Sequence, residues 1–448
     1  MSVPAYSEYK ESGVVWLGTI PAGWSVERFR WVFRESPEKI ESDVVGPMLS
    51  VSGYRGIEIK DYDDENRRRL DEDLIGYRIV RPGQLVVNTM WLNYAGLGVS
   101  EHEGHVSPAY RSYWIERDVE PRYIHHMMRS SIYVQGYTRL LTGIRPNSLQ
   151  MSRDDLMDFP VLLPPRAEQT AIAAFLDRET AKIDALVAEQ ERLIALLKEK
   201  RQAVISRAVT KGLNPGALMK ASGIEWLGEI PAHWVLMALS RLVDPHRPIT
   251  YGIVQPGEPD PNGRFMVRGQ DYSRGWAIPE DIFQVSDAVE TPYRRARLSP
   301  GDVVVTIVGA GVGNTAVVPT FLDGANITQT TARVAPAKGR ILGEYLSLIL
   351  SSRLGSIQVA LFQKGAAQPG LNLEHLKAFR FPIPSTEEQR EIIGALKIKL
   401  AGFDGLIAEA MAATLLLQER RAALISAAVT GKIDVRGLVE AGGAQEAA

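Results

Sequence analysis

An internal repeat constrains the fold of this 448-residue chain more than any other feature of its sequence. The stretch SGVVWLGTIPAGW at 12–24 returns as SGIEWLGEIPAHW at 222–234, and residues 168–210 align without a gap with residues 388–430. In the second pair, IDALVAE faces FDGLIAE and KRQAVISRAVT faces RRAALISAAVT. The chain is therefore predicted to have two halves, each a variable block followed by a shared block.

Each shared block predicts one long helix. Pro165 and Pro384 precede the two blocks, and proline disfavours helix in the residue before it. A glutamate follows in the expected first turn of both copies, where its charge suits the helix dipole. Gly212 and Gly431 lie where the helices should end.

The two helices share a heptad-like seam in which steps of four and three residues alternate, as in a short coiled coil. Polar residues occur at matching places in both copies. In the first helix the seam is Ile183, Val187, Gln190, Ile194, Leu197, Arg201, Val204 and Ala208, and in the second it is Phe403, Ile407, Ala410, Thr414, Leu417, Arg421, Leu424 and Ala428.

The variable blocks are predicted to be β-rich. In both, a Pro-Gly turn precedes a β-branched run, at 85–87 and 303–307. We therefore predict an α+β fold in which two β-rich domains are joined by two long helices that form an antiparallel coiled coil, related by a pseudo-twofold axis. The alternative is that each helix packs only on its own domain. The predicted regions are β-rich domains at 1–165 and 213–380, helical regions at 166–212 and 381–436, and a disordered tail at 437–448.

Composition narrows the class of protein. The chain has no cysteine, which excludes disulfides, thiolate metal sites and cysteine nucleophiles. The N-terminus lacks the pattern of a signal peptide, and no uninterrupted apolar run reaches the ~18–20 residues of a membrane helix. We expect a soluble, cytoplasmic protein with no membrane contact. Its net charge of −2 predicts weak DNA affinity for the isolated chain.

No motif predicts catalysis. The run GAGVGN at 309–314 lacks the third glycine of a dinucleotide fingerprint, so a tight turn is the better interpretation. Asp43, Glu58 and Lys60 imitate nuclease spacing, but the second half has no counterpart. Four histidines could ligate a metal, although a surface position is favoured for each of them: His102, His105, His125 and His126. We predict no catalytic residue and no metal site.

Polar loops are better candidates for a functional site. Arginine, asparagine and glutamine match the donor and acceptor pattern of base edges, whereas lysine, serine and threonine suit phosphates. The DNA-binding candidates in the first half are Arg67, Arg68, Arg69, Asn88, Trp91, Asn93, Tyr94, Tyr110, Arg111, Arg145, Asn147 and Ser148. Those in the second half are Tyr251, Gln255, Arg268, Arg294, Arg295, Asn326, Thr328, Gln329, Lys364, Gln368 and Asn372.

Taken in order, these motifs resemble a known family across nearly the whole chain. The order is WLGxIPxxW, a variable block, then PPxxEQxxI, IDxLxxE and KRxxxISxAVT, and the pattern then repeats. This resembles the specificity subunit of type I restriction–modification systems. PITYGIVQPG, PYRRARLSPGDVVVTIVG and KGAAQPGLNLEHL in the second half resemble a recurrent target-recognition domain of that family. The first variable block matches such domains only loosely, through RPGQLVV and LTGIRPNSLQ.

The resemblance implies a function. Residues 1–165 and 213–380 would be target-recognition domains, each reading one half of a bipartite site in double-stranded DNA, and the helices would set the spacer between the halves. The helices would also dock two methyltransferase subunits, and the complex would recruit restriction (helicase-nuclease) subunits. The chain itself would bind no cofactor, because S-adenosylmethionine, ATP and Mg would belong to partner subunits. Candidates for the methyltransferase interface point away from the seam: Glu189, Arg192, Lys200 and Arg207.

A second interpretation comes from a different class of protein. The chain could be a non-catalytic coiled-coil scaffold whose β domains bind protein instead of DNA. Binding to random-sequence DNA, with and without a co-expressed methyltransferase, separates the two, because a scaffold retains no DNA selectively in either case.

Overall fold

The structure is a computed structural model that describes residues 4–61, 71–143, 149–273, 275–363 and 369–438. The chain divides into two compact units. Unit 1 comprises Met1–Glu191 and Ala412–Ala448, and unit 2 comprises Arg192–Met411. Each unit mixes helices and strands, which confirms the predicted α+β class.

Unit 1 begins with a β-rich body and ends in the first long helix. Its strands are β1 (Tyr9–Glu11), β2 (Thr19–Pro21), β3 (Ser25–Arg28), β4 (Phe33–Glu35), β5 (Leu49–Ser52), β6 (Gly56–Ile59), β7 (Arg78–Val80), β8 (Leu85–Asn88), β9 (Leu97–Val99), β10 (Gly104–Val106), β11 (Tyr110–Ile115) and β12 (Pro160–Leu163). Its helices are α1 (Pro121–Arg129), α2 (Ser131–Thr138), α3 (Arg153–Met157) and the part of α4 (Arg166–Lys211) that precedes residue 192.

Unit 2 has a similar but not identical order, with a short helix between its strands. Its strands are β13 (Met219–Ala221), β14 (Glu229–Pro231), β15 (Val235–Ala238), β16 (Thr250–Tyr251), β17 (Arg264–Val267), β18 (Gln284–Val285), β19 (Val303–Thr306), β20 (Thr315–Val317), β21 (Asn326–Ile327), β22 (Thr331–Val334) and β23 (Arg380–Ile383). Its helices are α5 (Asp287–Glu290), α6 (Gly343–Ser351), α7 (Arg353–Phe362), α8 (Leu373–Ala378) and α9 (Thr386–Val429), whose last residues belong to unit 1.

Both units are built on a four-stranded antiparallel sheet. The strand order is β4-β11-β8-β9 in unit 1 and β16-β22-β19-β20 in unit 2. The predicted Pro-Gly turns precede β8 and β19, and their glycines, Gly83 and Gly301, have φ of 85° and 87°. The strands that follow are buried, as β-branched residues inside a sheet should be. In unit 2 a second, three-stranded sheet adds β18-β17-β21.

The repeated WLGxIPxxW motif locks each β body onto the start of a long helix. Its last tryptophan is buried in both copies. The indole N–H of Trp24 donates to Glu168 Oε2 at 2.9 Å, and that of Trp234 donates to Glu388 Oε2 at 3.0 Å. These glutamates open the repeated EQ motif, so the two most similar sequence blocks are in direct contact.

The glutamine of each EQ motif makes a second connection. Gln169 accepts a hydrogen bond from the backbone N–H of Glu120 at 2.8 Å, and Gln389 accepts one from that of Leu342 at 2.9 Å. Each side chain also donates to the carbonyl of the proline that precedes its helix, at 2.8 and 3.1 Å. Both glutamines are buried, and buried amides need all these partners.

The two long helices begin and end as predicted. Helix α4 has 46 residues and α9 has 44, and each starts after its proline. Gly212 and Gly431 follow the helices with φ of 71° and 70°, the left-handed conformation that glycine adopts at a helix C-terminus.

The largest hydrophobic cluster of each unit contains residues from both long helices. The unit 1 core includes Ile172 and Leu176 of α4 together with Val429 near the end of α9. The unit 2 core includes Val209 near the end of α4 together with Ile392 near the start of α9. Each helix is therefore anchored in one unit at its N-terminal end and in the other at its C-terminal end.

Helix α9 contains an apolar stretch that the sequence analysis underestimated. By length and composition it could cross a membrane. Only 6% of its 18-residue apolar window is buried, so most of this apolar surface is exposed. Among the described residues, α6 and α7 meet the same criterion only when this pair, bent by 60°, is counted as one span. Exposed apolar surface of this extent on a helix commonly marks a protein interface.

Candidate nucleic-acid interface

Four segments of unit 2 line an open, concave cavity of about 550 Å³. They contain residues 253–256, 268–273, 306–314 and 328–330. The backbone N–H of Ile253 donates to the Ile327 carbonyl at 2.7 Å, which holds the first segment against the last. At Gly252 any side chain would meet that carbonyl, because a Cβ would lie 1.8 Å from its oxygen.

Three of the predicted DNA-binding residues line this cavity: Arg268, Thr328 and Gln329. Gln270 and Asn314 also line it. Sequence reasoning missed these two, although each follows a glycine in a loop between strands, which is a usable signal. Together they present a guanidinium, three amides and a hydroxyl, which can read hydrogen-bond patterns on base edges.

Arg268 is oriented by its surroundings. Its Nη2 lies 3.2 Å from Asp271 Oδ1, and its guanidinium carbon lies 5.6 Å from the centroid of the Phe283 ring. The Arg268 side chain remains 33% exposed. Because the carboxylate partly neutralises it, this arginine suits a directed hydrogen bond better than diffuse attraction to phosphates.

Other unit 2 candidates lie around this surface or apart from it. Tyr251 and Gln255 are exposed on the segment that contributes Ile253. Arg294 and Arg295 are exposed on a 3₁₀ helix. Asn372 is exposed, but its side chain caps α8 by accepting from the Glu374 N–H at 2.9 Å. Lys364 and Gln368 lie outside the described residues.

Asn326 is a correction, because it is fully buried. Its amide nitrogen donates to Glu290 Oε1 at 3.0 Å and to the Tyr293 carbonyl at 3.1 Å. Glu290 also accepts two hydrogen bonds from Arg297, which hold the pKa of this carboxyl below its ordinary value. Asn326 therefore belongs to an internal polar network and does not face DNA.

In unit 1 the most exposed candidates are two aromatic residues. The side chains of Trp91 and Tyr94 flank a 3₁₀ turn, with ring centroids 5.9 Å apart and ring planes at 61°. The two residues are 54% and 57% exposed. The turn closes at Ala95, which has φ of 54° in the left-handed region. Exposed aromatic faces of this kind can stack on bases or pack against sugars.

The polar candidates beside this turn are less accessible. Asn88 is buried, and its Oδ1 accepts from the Met90 N–H at 3.2 Å. Tyr110 stands opposite Asn88 in the sheet, and burial raises the pKa of its phenol. Asn93 is half-buried. Arg111 is partly neutralised, with its Nε 3.5 Å from Glu35 Oε1.

The remaining first-half candidates lie outside the described residues and stay predictions. They are Arg67, Arg68, Arg69, Arg145, Asn147 and Ser148.

The residues of the predicted helix seam are buried or half-buried, and their role as helix–helix contacts stays a prediction. Ile183 and Val187 are buried, and the other seam positions are half-buried or buried: Gln190, Ile194, Leu197, Arg201, Val204 and Ala208 in α4, and Phe403, Ile407, Ala410, Thr414, Leu417, Arg421, Leu424 and Ala428 in α9. The outward-facing candidates Glu189, Arg192, Lys200 and Arg207 are all exposed.

Within each unit, an ion pair joins α4 to α9. In unit 1, Arg421 Nε donates to Asp184 Oδ1 at 2.8 Å and Nη2 donates to Oδ2 at 3.2 Å. In unit 2, Arg201 Nε donates to Asp404 Oδ1 at 2.9 Å. The two helices therefore contact each other in both units.

No group of three His, Cys, Asp or Glu residues that could hold a metal occurs in the described ranges. Gly309 and Gly313, with φ of 101° and 92°, form the tight turn expected there. The surface interpretation was wrong for His105 and His126, which are buried. His105 Nδ1 lies 3.1 Å from a backbone carbonyl, and His126 Nε2 lies 2.7 Å from a carboxylate oxygen.

Comparison with known proteins shows which family part of the chain resembles. Residues 286–402 match the family model described as the type I restriction modification DNA specificity domain. This segment carries β19, β22 and the loops on one side of the concave surface. This part of the duplicated α+β chain thus resembles a DNA-specificity domain.

Relatives extend the match beyond that domain. The chain is 32% identical over 260 residues to the type I restriction enzyme EcoBI specificity subunit of Escherichia coli, covering 57% of this chain and 54% of that one. It is 25% identical over 278 residues to the EcoKI specificity subunit of Escherichia coli (strain K12), covering 60% and 56%. The chain therefore spans about half the length of these curated relatives. Over these segments the chain resembles the specificity subunits of type I restriction–modification systems.

A solved structure shares the fold. One chain from a study of complex assembly and conformational transition of the type I R-M system superposes with a TM-score of 0.66, covering 92% of this chain and 99% of that one. The identity is 16%, so the likeness is one of fold.

Proposed function

We propose that this chain is the sequence-reading, non-catalytic subunit of a type I restriction–modification complex, and that the β body of each unit reads one half of a bipartite DNA site. One observation carries the proposal. Arg268, Thr328 and Gln329, chosen from sequence as base-reading candidates, line one concave surface of unit 2 although they are far apart in the chain.

The two readers differ in chemistry, which supports recognition of two different half-sites. Unit 2 offers a guanidinium and amides around a cavity, whereas unit 1 offers the exposed pair Trp91 and Tyr94. Amides and guanidinium groups discriminate bases by hydrogen bonds, and aromatic rings act by stacking and shape. Each body therefore reads its own sequence.

The two long helices form an antiparallel coiled coil that relates the halves by a pseudo-twofold axis. Two ion pairs support this proposal, Asp184 with Arg421 and Asp404 with Arg201. The aspartates occupy equivalent repeat positions, and so do the arginines, as a twofold axis requires. From Asp184 to Arg201 and from Arg421 to Asp404 the helices run equal lengths in opposite directions. Such a rod fixes the spacer between half-sites.

The outer faces of the helices dock two methyltransferase subunits. Charged residues such as Arg192 and Lys200 are exposed there. Apolar residues are exposed as well: Leu186, Leu193, Leu196, Ile398, Leu406, Met411, Leu415 and Leu416. Partner subunits bind S-adenosylmethionine, ATP and Mg and supply much of the phosphate contact that a chain of net charge −2 lacks. In this role the protein is cytoplasmic.

Substitutions in the unit 2 cavity test the proposal. Arg268→Ala and Gln329→Ala would each be co-expressed with the methyltransferase, and DNA binding would be measured on variants of the methylated site. A bidentate base contact is worth about 1–3 kcal/mol, so the loss should be about 5- to 150-fold, confined to one half-site. Gln329 is exposed, so its variant does not depend on the Asp271 ion pair.

Arg353→Ala is the matched control, because Arg353 is exposed in the same unit and does not line the cavity. If both cavity variants bound every site variant as the control does, the base-reading role would be wrong. If the complex retained no DNA sequence-selectively at all, the scaffold interpretation would be favoured.

A further inference from the structure

Unit 1 has a second cavity, of about 330 Å³, that DNA reading by the loops does not explain. It lies between the β5–β6 turn, helix α1 and the two long helices. Four arginines line it: Arg55, Arg122, Arg129 and Arg421. Only two carboxylates line it, those of Asp177 and Asp184.

Both carboxylates are already engaged by the surrounding side chains. Asp177 Oδ1 lies 2.7 Å from Nη2 of Arg122 and 2.7 Å from Nε2 of His126. Asp184 Oδ1 accepts from the Tyr54 hydroxyl at 2.6 Å and from Arg421. Arg122 also pairs with Glu101 at 2.8 Å, so the arginines that pair with neither aspartate are Arg55 and Arg129.

Arg55 is the first of these remaining cations. Its partner is Glu58, with Arg55 Nε 3.0 Å from Glu58 Oε1, and Glu58 does not line the cavity. The Arg55 side chain is 73% exposed, so it can swing toward a ligand without disturbing the core.

Arg129 is the second, and among the described residues no carboxylate lies within ion-pair distance of it, although the charge of Glu58 raises its pKa. Its Nη1 donates to the Ala95 carbonyl at 3.0 Å and its Nη2 donates to the Gly53 carbonyl at 2.9 Å. Burial, together with the charge of Arg421, lowers the pKa of Arg129 to about 10, so it stays charged near pH 7. A partly buried cation without a counter-ion is stabilised by any anion that reaches it.

The histidines do not alter this balance at neutral pH. His125 and His126 both line the cavity. Burial lowers the pKa of both imidazoles, so they are neutral there. The lining thus holds four arginines and two aspartates, while Glu58 and Glu101 pair with Arg55 and Arg122 from outside it.

We propose that this cavity binds a phosphate-type oxyanion. Planar guanidinium groups form parallel pairs of hydrogen bonds with phosphate oxygens, and several of them converge here. The anion is either a phosphodiester of the DNA backbone or a free phosphate. Both have the same oxygen chemistry, and the experiment below distinguishes them.

The repeat-equivalent position in unit 2 lacks these features. A cavity of about 710 Å³ lies beside Arg201, the counterpart of Arg421. Its other lining residues are neutral, among them Asn314, Ser356 and Gln363. Among the described residues, the unit 2 cavity thus has no cluster of arginines, and unit 2 supplies a control for any effect of breaking a helix–helix ion pair.

The test is calorimetric titration of the full-length chain with inorganic phosphate at constant ionic strength. Arg55→Gln removes an exposed guanidinium and Arg421→Gln removes a half-buried one. Each should weaken phosphate binding at least about tenfold, because one charged hydrogen-bonding group is worth about 1.5–3 kcal/mol. Arg201→Gln breaks the equivalent ion pair and should bind phosphate as the unchanged chain does.

Arg421→Gln breaks an ion pair between the helices and could loosen unit 1. Arg55→Gln changes an exposed side chain, so a loss of binding in that variant does not depend on the packing of unit 1. The proposal is overturned if the unchanged chain binds no phosphate, or if Arg55→Gln and Arg201→Gln bind it equally well. This readout needs no DNA, so its failure is distinct from failure of the proposed function.

A second arm identifies the source of the anion. The chain assembled with its methyltransferase would be titrated with DNA at several salt concentrations. If the site holds a DNA phosphate, phosphate competes with DNA and Arg55→Gln lowers the salt slope by about one for all sequences. If phosphate binds without affecting DNA, the ligand is a free phosphate.

Discussion

Shortening the helical rod should shorten the gap between the two recognised half-sites. In the proposed antiparallel register, residues 193–199 of α4 lie opposite residues 406–412 of α9. Deleting both segments removes one heptad from each helix and keeps the seam in phase. It also keeps both flanking ion pairs, Asp184 with Arg421 and Arg201 with Asp404.

The expected change in the gap between the half-sites follows from helix geometry. Seven residues at about 1.5 Å each remove about 10 Å of rod. At about 3.4 Å per base pair this corresponds to about three base pairs of spacer. Seven residues make almost two full turns of an α-helix, so the deletion changes the relative rotation of the helix ends by only about 20°. Three base pairs turn B-DNA by about 100°, since a turn takes about 10 base pairs. The shortened complex must therefore twist its DNA, and we expect weaker methylation.

Methylome sequencing of cells that express the deleted chain with its methyltransferase measures both effects. The half-site sequences should be unchanged and the gap about three base pairs shorter. Deleting 193–199 alone is the matched control, because it puts the two helices out of register and should abolish methylation. A methylated motif with its original gap in the double deletion would refute the spacer role of the helices.

Three further outcomes are expected. Gln389→Ala should speed amide hydrogen exchange in unit 2, and Gln169→Ala in unit 1, because each leaves buried backbone groups unpaired at about 1–3 kcal/mol apiece; equal effects on both units would contradict this assignment. Folding lowers the pKa of His126, so unit 1 should keep its stability above about pH 6.5 and lose it below. The lowered pKa of Asp177 acts in the same direction at lower pH. Amide hydrogen exchange in α1, compared with that in α6 at pH 7.5 and at pH 5.5, measures this loss. Trp91→Ala should weaken binding at one half-site about 5- to 150-fold, because a stacked base is worth about 1–3 kcal/mol, and should leave the melting temperature unchanged; a lower melting temperature would indicate a structural role.

The sequence predicted the helical part of the fold well, because the governing signals are local. Proline before each helix and glycine after it set the ends of α4 and α9. The heptad steps selected positions such as Ile183 and Ala428, which are buried, whereas the outward-facing Lys200 is exposed. The Pro-Gly turns likewise located β8 and β19.

The candidate site was harder to predict, because exposure of a polar residue depends on distant parts of the chain. Asn326 and Gln329 are three residues apart and similar in chemistry, yet one is buried against Glu290 and the other is exposed at the cavity. The four arginines around the second cavity come from three separate segments, so no local pattern unites them. The glutamate of each EQ motif was expected to suit the helix dipole, and no local pattern indicated that Trp24 and Trp234 donate to it.

Exchange of one recognition body decides whether two independent readers sit on one frame. Residues 213–380 would be replaced by the corresponding region of another specificity subunit, and the methylated motif would be sequenced in cells that contain the same methyltransferase. One half-site should change, while the other half-site and the gap stay the same. If both half-sites changed together, or neither did, the chain would not read DNA as two separate modules.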